Sequence, residues 1–291
     1  MLIKEFYGYI KKKLHSRRRQ IGKSLFYEAL TKRKGLEQKE TSLKVLALGS
    51  SQCARGFYAD LIPDAYNLGN SSQDLYTSYY LLKKYLQKLE NLEHVILFYA
   101  VFSPGYELAK TTQMKQVAVN HYVFDIPYLV HDLASWAKSV NRRLKKFDDT
   151  RIDYKKYCGF LPEDTANPMP LVERCTKHIR ENQRPTHQTK YIEMMAELLK
   201  TRNIRFSIVV CPCRNDYTKF ILNKVSDPFI ELKNFLQNTD DGAVCFLDWT
   251  VWKDFEDADF ADIDHLNSRG AKKFTLQLAQ KLQLPIQIEN G

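Results

Sequence analysis

The chain has 291 residues, 44% of them hydrophobic, which suits one large globular domain or two small ones. Its net charge of +10 is gathered at one end: residues 1–44 carry 13 Lys/Arg against 4 Glu, and the rest is near neutral. No apolar run is long enough to cross a bilayer, and six cysteines without a legible secretory leader read as reduced thiols, so a cytoplasmic protein is expected, peripheral at most at the inner face of the membrane.

Residues 1–41 read as a basic helical extension. Leu2, Phe6, Ile10 and Leu14 recur at helical spacing among Lys11, Lys12, Lys13, Arg17, Arg18 and Arg19. Two roles suit such a segment: a helix lying on an anionic membrane surface or a synthase-type partner, or a solvated extension packed on the domain. No recognition motif accompanies the charge, so nucleic acid is not an expected partner.

From residue 42 to 291 the pattern alternates. Strands are expected at 43–49, 65–68, 94–101, 206–211 and 243–247. Helices are expected at 52–61, 72–89, 188–201, 215–238 with a break near Asp227-Pro228, and 268–282 with Ser268 as N-cap. Five strands alternating with helices predict an α/β fold with a doubly wound, five-stranded parallel sheet. A helical insertion after the third strand, about 105–186, breaks the rhythm. Within it 127–146 reads as helix, and Tyr106, Tyr122, Phe124, Tyr128 and Trp136 stand among basic residues. These aromatics either stack on sugars above the strand ends or build a satellite core.

The stretch from Lys44 to Gly56 carries the first chemical signal. A strand-length apolar run ends in Gly49-Ser50-Ser51, and a helix follows. Ser51 then stands where backbone N–H groups point outward, as a nucleophile if a base reaches it, or as a plain helix cap. The base candidate is His265, three residues after Asp262, whose carboxylate can curl back onto the imidazole. Asp264 is the rival orienting acid. Arg55, one turn beyond Ser51, and Arg214 and Asn215, after the fourth strand, are candidates for holding substrate. Asp254, Glu256, Asp257 and Asp259, in the acidic loop from Asp248 to Asp264, lack EF-hand spacing and read as solvated. No metal ligand set is legible, because Cys211-Pro212-Cys213 has no second pair. No P-loop and no dinucleotide fingerprint occurs.

In this order and strand context the blocks Gly49-Ser50-Ser51, Asn67-Leu68-Gly69-Asn70 and Asp262-Ile263-Asp264-His265 resemble the SGNH (GDSL-like) hydrolase family, over roughly 43–104 and 187–283. Ser50 stands where many members have aspartate. The third block, which usually contributes an asparagine, is not recognisable at Phe102-Ser103-Pro104-Gly105. The resemblance implies a flavodoxin-like sheet, a Ser51–His265–Asp262 triad, and an oxyanion hole from Ser51 and Gly69 with Asn70 in place of the missing asparagine. The first two blocks are most similar to polymer-modifying members, such as D-alanyl transfer proteins of teichoic-acid synthesis and alginate-type acetylation proteins. That style implies O-acyl, above all O-acetyl, transfer to or from a cell-surface polysaccharide or its precursor through an acyl-serine. No bound cofactor is expected, and acetyl-CoA is the natural cytosolic donor. A carbohydrate esterase and a catalytically silent, glycan-binding scaffold are the alternatives.

Overall fold

The computed structural model describes residues 25–130, 133–148, 150, 152–162, 169–185, 188–239 and 244–287. Most of the expected basic extension, 1–24, lies outside them, and the first described helix, α1, covers 25–39. Backbone packing divides the chain into two units.

The smaller unit takes residues 25–34 and 109–152. It holds α4 (Met114–Phe124) and α5 (Leu133–Leu144). Its core is made of Phe26, Leu30, Val117, Phe124, Leu133 and Val140. The Arg33 guanidinium donates to the Val123 carbonyl at 2.9 Å, near the end of α4. The helix expected at 127–146 is the shorter α5, and the sequence reading had no helix where α4 lies.

The larger unit takes residues 35–108 and 153–287. Strands β1 (Val45–Gly49), β2 (Ala65–Asn67), β3 (His94–Phe98), β4 (Arg205–Val209) and β5 (Val244–Leu247) form one sheet in the order β2-β1-β3-β4-β5, all parallel. The expected parallel α/β sheet is therefore present. Its central strands read as unbroken apolar runs because both faces are covered. Val45, Ala47, Ile96, Phe98 and Val209 pack with α2 (Ser51–Gly56) and α10 (Ser268–Leu282) through Cys53, Phe57, Phe274 and Leu278. The alternate residues Leu46, Leu48, Val95 and Leu97 are equally buried. The helices α3 (Leu75–Tyr85) and α7 (Lys190–Lys200) pack on each other, and on β1 and β4 respectively. Strand order reverses between β1 and β3, so the crevice where such sheets take ligands opens beyond Gly49.

The remaining helices are α6 (Leu171–Asn182), α8 (Asn215–Leu222) and α9 (Ile230–Thr239). The break expected near Asp227-Pro228 separates α8 from α9. Of the expected insertion, 109–152 belongs to the small unit, while 153–186, with α6, belongs to the sheet unit. The cap of the closing helix is one residue earlier than expected. Asn267, not Ser268, accepts the Gly270 N–H at 3.0 Å, because only Asn267 has the extended backbone of an N-cap.

His94 opens β3 with its ring buried and its Nε2 2.8 Å from Ser207 Oγ. Burial, helped by the Arg205 charge, pulls its pKa down from 6.5 to about 4. The unfolded chain therefore binds the proton more readily than the folded one, and stability falls as pH drops from about 6.5 toward 4. Urea unfolding of wild type and His94→Gln checks this. Between about pH 7.5 and about pH 5 wild type is expected to lose about 2 kcal/mol more than the variant.

Candidate active site

The turn after β1 is shaped by contact. Gly49 has φ +145, and a Cβ there would lie 2.7 Å from Phe98 Cβ and 2.8 Å from the Phe98 carbonyl on the neighbouring strand. Ser50 is the N-cap of α2, its hydroxyl accepting from the Gln52 N–H at 3.4 Å. With the capping role filled by Ser50, the Ser51 hydroxyl is left for another partner. Ser51 Oγ lies 2.7 Å from His265 Nε2, 214 residues away.

Asp262, Asp264 and His265 come from the loop between β5 and α10. An antiparallel bridge between Phe260 and Leu266 closes it, and the Ala261 N–H donates to the His265 carbonyl at 2.9 Å. Inside that turn the Asp262 carboxylate accepts the backbone N–H of Asp264 (3.0 Å) and of His265 (2.9 Å). His265 Nδ1 is 2.9 Å from Asp262 Oδ2. An ionised carboxylate only accepts, so Nδ1 carries the ring proton and Nε2 is left to accept from Ser51. Asp264 Oδ1 is 3.8 Å from Nδ1, which makes Asp262 the orienting acid. Burial pushes Asp262 up, but the His265 hydrogen bond and charge, the Asp264 N–H and the Arg174 charge outweigh it and hold the carboxyl below the usual range. Asp264 goes the other way: burial raises it, the charges of His265 and Arg174 oppose, and the neighbouring Asp262 adds to the rise.

Arg174, on α6, was not visible as a site residue in the sequence. Its side chain is only 12% exposed, with Nη2 3.5 Å from Asp262 Oδ2 and Nε 3.4 Å from Asp264 Oδ1. Asp262, Asp264 and His265 offer three ligand atoms within 4.8 Å of one another, the one metal-like group among the described residues. The guanidinium stands against both carboxylates and supplies the positive charge there. Nothing in the pattern of α6 marks Arg174, because its helical neighbours Cys175, His178 and Glu181 are buried and yet not aliphatic.

The remaining expected site residues divide. Arg55 Nη1 reaches to 3.4 Å from His265 Nε2, beside Ser51. Gly69 touches α2: a Cβ there would lie 2.6 Å from Cys53 Cβ and 2.8 Å from the Ala54 nitrogen. The Gly69 N–H donates to Asn67 Oδ1 at 3.0 Å. Asn67 in turn gives its amide to the carbonyls of Cys53 and Phe57, both at 2.8 Å, so it fastens the end of β2 to the end of α2. Asn70 is buried. Its amide serves the Leu68 carbonyl and Gln73 Oε1, each at 3.0 Å, and its N–H serves the Gly49 carbonyl at 3.0 Å. The Ser51 N–H opens α2 and has no acceptor one turn back within the helix. Arg214 is held by Asp216 through two charge-assisted bonds, and its N–H supports the Ile263 carbonyl at 3.0 Å. Asn215 lines a cleft whose wall includes Phe260, two residues before Asp262.

Tyr106, Phe124 and Tyr128 are buried and pack, as the core-building alternative for these aromatics has it. One other expectation changes. Asp259, expected in a solvated loop, is fully buried. It bonds Lys273 at 3.0 Å and Arg269 at 2.8 Å, and its carbonyl accepts the Asn267 N–H at 3.0 Å, which ties the loop to α10. All six cysteines are free thiols.

Residues 141–286, half of the chain, match the model of one protein family that carries no functional description, and the chain belongs to that family. The match spans Arg174, Asp262 and His265 but not Ser51. No curated protein matches the sequence.

Arg174→Met removes the guanidinium charge that stands against two buried carboxylates. It is expected to cost about 3–5 kcal/mol of stability, and adding Asp264→Asn is expected to restore part of it. Chemical denaturation of the single and double variants measures both effects.

Proposed function

We propose that the protein is a serine enzyme of SGNH-like type that moves an acyl group, above all acetyl, to or from a polysaccharide or its precursor. The observation that carries this reading is the unbroken relay from Ser51 Oγ through His265 to the Asp262 carboxylate, with links of 2.7 and 2.9 Å.

In this reading His265 Nε2 takes the Ser51 proton as Oγ bonds to the acyl carbon. The proton then goes to the leaving atom, the oxygen of an ester donor or the sulfur of a thioester, as its bond to the acyl carbon breaks. The acyl-serine next passes its acyl group to a sugar hydroxyl or to water, whose proton Nε2 accepts before returning it to Ser51. Asp262 holds the ring in register and balances the imidazolium charge. The oxyanion receives the Ser51 N–H. Gly69 joins it once its N–H leaves Asn67. Arg55 brings a positive charge to the same ring nitrogen, which suits a developing oxyanion or an anionic acyl donor such as acetyl-CoA. Among the described residues no helix is long and apolar enough to cross a membrane. The proposed place of action is the cytoplasmic side, where that donor is found.

One observation favours a silent, glycan-binding scaffold instead: the Gly69 and Asn70 donors are committed to Asn67, Leu68, Gln73 and Gly49. Intact-mass analysis after a fluorophosphonate probe separates the two. A single adduct is expected on wild type and none on Ser51→Ala or His265→Ala. Asp262→Asn, which favours the wrong tautomer, is expected to slow labelling by on the order of 10³–10⁴. An unlabelled wild type would mean the scaffold reading.

A further inference from the structure

We infer that the cleft beyond the carboxyl ends of β4 and β5 is a binding subsite for uncharged sugar residues of a glycan chain. The inference deepens the acyl-transfer reading, on which it rests for the use made of that glycan.

The cleft encloses about 390 Å³ between the start of α8 and the segment leading to the Asp262 loop. Its walls are aromatic: Trp249, Trp252, Phe255 and Phe260. Two of these rings are held in place before any ligand arrives, Trp252 as a buried residue and Trp249 as a half-buried one. The Trp252 indole N–H donates to the Val210 carbonyl at 2.6 Å, and Trp249 rests edge-on against Phe229 at 5.0 Å. Rigid aromatic planes bury ligand area with little loss of side-chain freedom.

The polar groups of the cleft match a ring of hydroxyls. The side chains of Asn215, Asp254 and Asp257 make no hydrogen bond to any described residue, nor does the Trp249 indole N–H. Carboxylates accept from sugar hydroxyls, and Asn215 and the indole supply donors. The same carboxylates decide what is refused. A uronate or phosphate would face two like charges. Of the cations near it, Arg214 is held by Asp216, and Lys273, paired with Asp259, lies over the Phe255 ring at 4.8 Å and donates to the Asp254 carbonyl. The resemblance implies a cell-surface polysaccharide or its precursor without fixing its charge. The cleft suits a neutral chain.

Its position fits delivery to the triad. Cys213, in its wall, is 3.6 Å from the Gln52 amide, and Gln52 follows Ser51. Phe260 stands two residues before Asp262 and in the bridge that closes the catalytic turn.

Labelled full-length protein on a printed array of neutral, amino and acidic oligosaccharides tests the assignment. Wild type and Ser51→Ala are expected to hold neutral glycans alike. Trp249→Ala is expected to weaken that binding by about tenfold or more. Asp257→Lys, at an exposed position and so a safe partner should Trp249→Ala unfold, is expected to shift preference toward acidic glycans. An empty array, a wild-type preference for acidic glycans, or neutral binding unchanged in Asp257→Lys overturns the subsite. A labelled Ser51 with an empty array sinks the subsite alone, whereas neutral binding by a protein whose Ser51 resists the probe sinks the acyl-transfer reading alone.

Discussion

The Asp262 carboxylate is the point on which the site depends. A buried carboxylate is stable as an anion only when its lone pairs are filled and its charge is met. Asp262 fills them with two backbone N–H groups of its own turn and with His265 Nδ1, and Arg174 meets the charge. The same atom pair that folds the turn therefore sets the ring tautomer, and the tautomer decides which nitrogen faces Ser51. Local folding and proton-transfer geometry are one arrangement here.

The sheet brings the other half of the site to that turn. Ser51 leaves β1 at the strand-order reversal, where neighbouring connections diverge and open a crevice. Glycine is required twice to bring the chain in so close, at Gly49 against Phe98 and at Gly69 against α2. Each allows backbone to lie where a methyl group would collide. Asn67 then ties the β2 end to the carbonyls that close α2, so the helix that carries Ser51 is braced although it is only six residues long.

Charge is distributed with separate purposes. The basic run lies in the first 44 residues, while the sheet unit sets cations against its buried carboxylates: Arg174 on Asp262 and Asp264, Lys273 and Arg269 on Asp259. Asp259 anchors the loop to α10 from the far side of the turn that Asp262 closes. Phe260, between these two fixed points, is one of the aromatic walls of the cleft.

Sequence alone determined what depends on local periodicity and short spacing. The five apolar runs, the helices between them other than α4 and α6, the turn at Gly49-Ser50-Ser51 and the three-residue step from Asp262 to His265 were legible because strand and helix periods and a single tight turn are near-neighbour properties. Tertiary structure alone decided the strand order, the Asn267 cap, the division of 105–186 between two units, and the 2.7 Å meeting of residues 214 positions apart. It also decided which aromatics pack and which line a cleft, since Tyr106 and Trp249 look alike in sequence and differ only in what lies opposite them. Arg174 shows the reason most directly. A lone arginine on a helix carries no pattern, and its partners, Asp262 and Asp264, exist for it only once the chain has folded.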